Sequence, residues 1–391
     1  MCAHTKIRYL YKVFHKFSTF KWILEDLPAC NYTSKMSEKK QIRITDIAKA
    51  AGLSAGTVDR VIHNRGKVSS KAKERVLQVM SELDYHPNII ARTLARNKLL
   101  KIGILIPEFE QDMYWKTIKK GIDTALQNVK HYGVEGLFFT YPQHDPIPFN
   151  AIADRLLGTK PDALLIAPIF NVQAKNFLAR AKSKEIPVVL INTDIEDSTK
   201  LSFVGTNSYQ SGVLAGRLFD PKKGTKLVVL HLEAQSQNAS HLMAKETGLV
   251  DAIEKKNPEV KVITLIYDHF EDKRFLNEII QALKKERNIS GIFITSSRAY
   301  LVAEKIKDVF PGVKIIGFDL VDQNLQLLNQ SAIEILINQN PKQQGYLGIL
   351  SLVNHIVFNK AIPPVQFLPL DIVLQENATF YTERQNLVLT V

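Results

Sequence analysis

Cysteine is nearly absent: the 391 residues include only Cys2 and Cys30, both close to the start. The rest of the chain therefore has no disulfide framework and no thiolate metal site, and a reducing compartment suits it. Long apolar runs are missing too. None approaches the roughly 18 residues that cross a bilayer, and the opening segment is interrupted by Lys6, Arg8, Lys12, Lys16 and Lys21. Neither a membrane span nor an export signal is expected. No HExxH helix, no Walker glycine loop and no nucleophile elbow on a strand is found, so the chain is not read as an enzyme, and neither a cofactor nor a metal is expected.

What is present is ordinary globular material, 45% hydrophobic and 23% charged, long enough for two or three domains. Its charge is uneven. The net +12 is concentrated at the front, where residues 1–35 carry 6 Lys/Arg against 2 acids and residues 36–98 carry 13 against 6. A small basic head before a nearly neutral body suggests that the head alone meets a polyanion. Residues 1–35 have no sustained periodicity and read as an extension, non-native or disordered, with Met36 as the expected start.

From Ile44 the pattern turns helical. Ile44, Ile47, Ala48 and Ala51 share one face of a first helix capped by Thr45. Gly52 and Leu53 make a turn, and Ser54 caps a second helix from Ala55 to about His63 with Val58, Val61 and Ile62 inward. A third helix, capped by Ser69 and Ser70, turns Ala72, Val76, Val79, Met80 and Leu83 to the same core. A helix–turn–helix of this kind lays its second helix in a DNA major groove. Arg60 points outward and can donate two hydrogen bonds to a guanine edge, while Thr57 can bind phosphate. Ala55 and Gly56 permit close approach more than they select bases. Thr45, Ser54, His63 and Asn64 complete the DNA-facing set. Lys67, Lys71 and Lys73 are placed as phosphate clamps. Beyond Pro87, Asn88 caps a short segment carrying Ala91 and Leu94, too short to hold a helix alone.

After Lys101 short apolar strands alternate with amphipathic helices: 102–107, 136–140, 163–167, 187–192, 227–232, 262–267, 291–295 and 314–318. Such alternation predicts parallel sheets covered by helices, divided into two lobes with a ligand at the carboxyl ends of the strands. Those ends carry Asp112, Tyr114 and Trp115, then Asn192, Thr193 and Asp194, then Ser296, Ser297 and Arg298, and finally Asp319. Hydrogen-bonding side chains beside aromatics suit a sugar, whose hydroxyls pair with polar groups while its ring faces stack.

The strings TDIAKAAGLSAGTVDRV and LDYHPNIIARTLA, in that order, resemble the lactose-repressor family, and VKIIGFDLVDQNLQLL followed by INQNPKQQGYLGI extends the resemblance through the body. The resemblance implies an all-α helix–turn–helix head (42–86), a hinge helix (87–98), and an α/β body (99–391) like a type I periplasmic binding protein. Lobe 1 is expected at about 101–206 and 339–361, lobe 2 at about 207–338 and 362–391. It also implies that paired hinge helices wedge Leu94 into the minor groove with Ala91 beside it. The effector set it implies is Asp112, Tyr114, Trp115, Asn192, Thr193, Asn238, His241, Ser296, Arg298, Asp319 and Gln339. Two departures stand out in the body: Asn192-Thr193 replaces an Asp-Arg pair, and an arginine expected near Met243 is replaced by Asn238, Ser240 and His241. The expected protein is a cytoplasmic regulator, a repressor that binds double-stranded operator DNA and a sugar or sugar derivative as a homodimer. Tetramers remain open, although no heptad run follows the body. The rival is an exported sugar-binding protein of a transporter, which would have no use for the head.

Overall fold

The computed structural model describes residues 42–62, 66–83, 85, 99–196, 198–232, 240–267 and 274–381. The chain divides into two compact units, Met1–Pro87 and Asn88–Val391.

In the first unit the described residues form α1 (Ile44–Ala51), α2 (Ala55–Ile62) and α3 (Ser70–Glu82). Ile47, Val58, Val76 and Val79 are fully or almost fully buried in one small core, with Leu53, Ile62 and Met80 packed around it. The helix ends follow local chemistry. Gly52 takes φ 67° and closes α1, its amide donating to carbonyls of the last turn. Ser54 Oγ accepts from the Thr57 amide at 3.1 Å, and Ser69 Oγ from the Ala72 amide at 3.4 Å. Thr45 does not cap α1 as expected. The helix begins at Ile44 with Arg43 at the cap position, two residues before Thr45, and the first-turn carboxylate of Asp46 accepts the Arg43 amide at 2.8 Å, satisfying one of the N–H groups that a helix start leaves without a partner.

The second unit contains two six-stranded sheets. Lobe 1 holds β1 (Leu100–Pro107), α4 (Met113–Val129), β2 (Val134–Tyr141), α5 (Ile147–Gly158), β3 (Ala163–Ile166), α6 (Asn171–Ser183), β4 (Val188–Ile191) and β5 (Ser202–Gly205). Lobe 2 follows with α7 (Ser208–Leu218), β6 (Lys226–Leu232), α8 (Ser240–Lys256), β7 (Lys261–Tyr267), α9 (Phe275–Lys285), β8 (Ile289–Ile294), α10 (Ala303–Val309), β9 (Lys314–Phe318), α11 (Asp322–Asn329) and β10 (Ile335–Asn338). The chain then returns to lobe 1 as α12 (Pro341–Ile356) and β11 (Val365–Phe367), and ends its strands in lobe 2 as β12 (Asp371–Val373).

The sheet orders are β11-β5-β4-β3-β1-β2 and β12-β10-β9-β8-β6-β7. Only β12 runs antiparallel to its neighbour among the paired strands described. All eight expected strands are present. Four more, β5, β10, β11 and β12, were not expected and are 4, 4, 3 and 3 residues long. The expected lobe boundary also shifts: β11 pairs with β5, so Val365–Phe367 belongs to lobe 1 and not to a second-lobe segment starting at 362. Backbone pairing decided that assignment, because neither hydropathy nor charge marks it.

Each central strand is apolar on both faces, as a covered parallel sheet requires. Along β1, Ile102, Ile104 and Ile106 face α4 and α12, while Leu105 faces α5 and α6. Each such side chain removed from water is worth about 1.5 to 3 kcal/mol. The strand order reverses at β1/β3 and again at β6/β8, which opens a crevice at the carboxyl ends of the strands in both lobes.

Candidate functional site

The head offers a surface that follows from its core. With Val58 and Val61 buried, Ala55, Gly56 and Arg60 lie on the exposed side of α2. Thr57 is half-buried, and its hydroxyl lies 2.9 Å from Ser54 Oγ, so the helix start is a small hydroxyl-bearing corner. Thr45, Lys67, Lys71 and Lys73 are exposed. Arg75 instead ties the helices together, its Nη2 donating to the Ala50 carbonyl at 3.4 Å. The string Gly52–Gly56 has the spacing Gly-x-Ser-x-Gly, but it joins two helices and Ser54 serves as a cap, so it is no nucleophile elbow.

In the body, one cleft is lined by Asp112, Tyr114, Trp115 and Asn192 of lobe 1 and by His241, Leu242, Lys245, Thr295, Ser296, Ser297, Arg298, Asp319 and Gln339. The space among these side chains, including the mouth, is about 390 Å³. On the lobe 1 side, Asp112 caps α4 by accepting the Tyr114 and Trp115 amides at 3.0 and 3.2 Å. The two rings that follow are almost perpendicular, 84° apart with centroids at 5.3 Å, so no flat ligand can lie against both faces. Asn192 Nδ2 donates to the Tyr114 hydroxyl at 2.6 Å. Asn192 itself takes φ 69°, a left-handed conformation that asparagine tolerates better than most residues.

The lobe 2 wall is ionic. Lys245, 2% exposed on α8, donates to the Thr295 carbonyl at 2.9 Å, and its Nζ lies 3.7 Å from the Phe318 ring centre. Asp319 follows β9 at φ 63° and is 1% exposed. Its Oδ2 accepts from Gln339 Nε2 at 2.8 Å and its Oδ1 from the Gln339 amide at 3.2 Å. Burial raises its pKa to about 6, with Lys245 and the Gln339 bonds pulling the other way. His241 is driven down to about 3, first by burial and then by the charges of Lys245 and His231, so its ring is neutral at pH 7. It faces Thr193 Oγ1 across the lobes at 3.5 Å. Behind the wall, buried His231 reaches Thr295 Oγ1 and Glu246 Oε2, each at 2.8 Å. This bond, with help from Thr264, keeps Glu246 below the usual carboxylate range.

Such a cleft can hold a small polar molecule by many hydrogen bonds and one aromatic face. Among the described residues no cluster of His, Cys, Asp or Glu is arranged for a metal ion, and no helix is long and apolar enough to cross a membrane.

Residues 102–360 match the periplasmic binding protein domain model, and residues 43–88 match the model for bacterial regulatory proteins of the lacI family. The chain belongs to the periplasmic binding protein domain family and carries a lacI-family DNA-binding domain at its head. The regulator MalR of Streptococcus pneumoniae is 24% identical over 334 residues, covering 79% of this chain and 98% of MalR. The sucrose operon repressor of Lactococcus lactis is 25% identical, covering 71% of this chain and 83% of the repressor. A crystal structure of a putative LacI transcriptional regulator from Bacteroides fragilis has a similar fold, with a TM-score of 0.67 and 23% identity over 73% of this chain and all of that one.

Within this periplasmic-binding-protein-like body the structure gathers most of the expected effector set: Asp112, Tyr114, Trp115, Asn192, Thr193, His241, Ser296, Arg298, Asp319 and Gln339 all lie at the cleft or bond to groups that line it. Asn238 falls outside the described residues, as do His63, Asn64, Asn88, Ala91, Leu94, the expected hinge helix and the 1–35 extension. Three contributors were not anticipated. Lys245 supplies the cation thought missing near Met243. Its signal was available, since it sits between Leu242 and Leu249 on the buried face of α8, where a lysine has no bland reason to be. Gln143 reaches Asp112 and Arg298 from the loop after β2. Asn324, fully buried, donates to the carbonyls of Ser297, Phe318 and Asp319 and accepts the Tyr300 amide, fastening the Arg298 loop to the Asp319 turn. Nothing in the sequence distinguishes either amide from a surface residue.

Proposed function

We propose that this chain is a DNA-binding transcription regulator, a repressor, whose operator affinity is set by a small sugar-like effector held between the lobes of its body. The observation that carries the reading is the combination, in one chain, of an exposed recognition-type helix α2 and a cleft lined by Lys245, Arg298, Asp319, Gln339, Tyr114, Trp115 and Asn192. Two relatives, the regulator MalR and a sucrose operon repressor, support it. The chain works as a homodimer on a two-fold operator, in the cytoplasm where the DNA is, and performs no chemistry on its effector. Allostery of this kind requires an effector that prefers one of two lobe spacings, typically by about 1 to 3 kcal/mol.

The test has two halves. Selection from random double-stranded DNA should return a two-fold sequence, and Arg60→Ala should reduce its discrimination from random DNA by about 1 to 3 kcal/mol. Equal weakening on every sequence would reduce Arg60 to a phosphate contact. A thermal-shift panel of monosaccharides, disaccharides and sugar phosphates on the full chain should contain a hit, since a ligand at 100 times its Kd stabilises the fold by about 2.7 kcal/mol. A panel without hits would remove sugars as the effector class.

A further inference from the structure

Asp112, expected from the sequence to bind an effector hydroxyl, is occupied by the protein itself. Its Oδ1 accepts the Tyr114 and Trp115 amides at 3.0 and 3.2 Å, and its Oδ2 accepts Arg298 Nη2 at 3.0 Å and Gln143 Nε2 at 3.3 Å. A carboxylate offers about four lone-pair positions, so these donors fill it. Gln143 closes the group, its Oε1 accepting from the same Arg298 Nη2 at 2.8 Å while its Nε2 also reaches the Glu108 carbonyl at 3.1 Å. Asp112 and Gln143 belong to lobe 1, and Arg298 follows β8 in lobe 2. The ion pair is enclosed, with side chains 9% and 16% exposed.

We propose that Asp112 and Gln143 form a cradle that positions Arg298 across the cleft, and that this contact sets the closed spacing of the lobes in the free protein. Asp112 is then a positioning residue and not an effector ligand, and specificity is decided by what fits beside the captured guanidinium. Opening the lobes breaks two bonds at once, because the same Arg298 nitrogen donates to the Asp112 carboxylate and to the Gln143 carbonyl oxygen. Asn324 holds the Arg298 loop from behind, so the strut is anchored at both ends. The inference rests on reading this cleft as the effector site, but its test needs no effector.

In the full chain with Cys2 and Cys30 changed to serine, spin labels are placed through Ile147→Cys on lobe 1, where the native residue is 82% exposed, and Lys305→Cys on lobe 2, 50% exposed. Dilution with unlabelled chain leaves only intrachain pairs for double electron–electron resonance. The expected result is one narrow distance for the parent protein. Arg298→Met shifts it to a longer, broader distribution, and Gln143→Leu, which spares the α4 cap, gives a smaller shift in the same direction. Circular dichroism verifies folding in each case. Identical distributions in all three proteins overturn the proposal. If Arg298→Met does not fold, an unchanged distribution in Gln143→Leu overturns it alone. A failed sugar panel would not alter either outcome.

Discussion

Lobe 1 and lobe 2 order their strands alike, and in each a glycine brings two helix backbones into contact. A Cβ on Gly121 of α4 would lie 1.9 Å from the Lys342 carbonyl oxygen of α12, and one on Gly212 of α7 would lie 1.8 Å from the Lys245 carbonyl oxygen of α8. The scaffold is therefore the same device used twice. The walls built on it differ. Lobe 1 presents aromatic rings, an amide and one carboxylate, Tyr114, Trp115, Asn192 and Asp112, whose positions come from a helix cap and a strand end. Lobe 2 presents Lys245, Arg298 and Asp319, three ionisable groups taken almost wholly out of water. Burying aromatics stabilises a lobe, whereas burying charges has to be offset by partners. Lobe 1 thus contributes shape, stability and one carboxylate at the cleft, and lobe 2 contributes most of the charge through a buried polar network.

That contrast can be broken in four ways, from the largest expected effect down. Trp115→Ala, which opens a cavity in the lobe 1 core, should lower unfolding free energy by about 4 kcal/mol in urea titration. A loss below 1 kcal/mol would mean that Trp115 serves ligand contact more than packing. Gly121→Ala and Gly212→Ala should each cost about 3 kcal/mol, since a backbone clash yields only by helix displacement. Both should also weaken binding of whichever sugar the panel identifies, measured by calorimetry, Gly121→Ala by moving Tyr114 and Trp115 on α4 and Gly212→Ala by moving Lys245 on α8. Unchanged binding in either variant would mean that its helix does not position the wall it carries. Asn324→Ala should cost about 2 kcal/mol, leaving buried carbonyls without a donor.

The last test concerns pH. Asp319 has its pKa raised from 3.8 to about 6, so the folded state holds this proton more tightly than the unfolded one. Its contribution to stability is present below the unfolded value and is lost as pH rises from about 4 to about 6. His241, lowered from 6.5 to about 3, acts oppositely: the neutral ring's contribution is present above 6.5 and lost as pH falls. The parent protein should therefore show a shallow pH dependence of unfolding between 4 and 6, and Asp319→Asn a steeper rise with pH, leaving His241 unopposed. Superimposable profiles would show that Asp319 is not perturbed. Sugar affinity should fall below pH 6 in the parent and stay level in Asp319→Asn, because only the ionised carboxylate accepts at both oxygens.

Legibility in the sequence followed the range of the interaction. Local signals were reliable in the head, where Gly52, Ser54 and Ser69 mark helix ends and Ile47, Val58, Val76 and Val79 mark the core. The α1 cap lies at Arg43, two residues before Thr45, where the Asp46 carboxylate accepts the Arg43 amide. In the body, the apolar runs from 102–107 to 314–318 were visible because strands covered on both faces need unbroken hydrophobicity. The short strands β5, β10, β11 and β12 were not visible, because their pairing energy comes from neighbours remote in the chain. Strand-end polar residues identified most of the cleft by position alone.

What the sequence by itself determined is the set of parts: a basic helix–turn–helix head, two parallel α/β lobes, and polar residues at the strand ends. Periodicity, caps and glycine turns encode these within a few residues of one another. Only the tertiary structure decided the partnerships. It assigned Val365–Phe367 to lobe 1 through pairing with β5, placed Lys245 under Thr295 and Phe318, and filled Asp112 with Arg298 and Gln143. Asp112 and Arg298 are 186 residues apart in the chain. Nothing local to either can specify that contact, which exists because two separately folded sheets bring their carboxyl ends together.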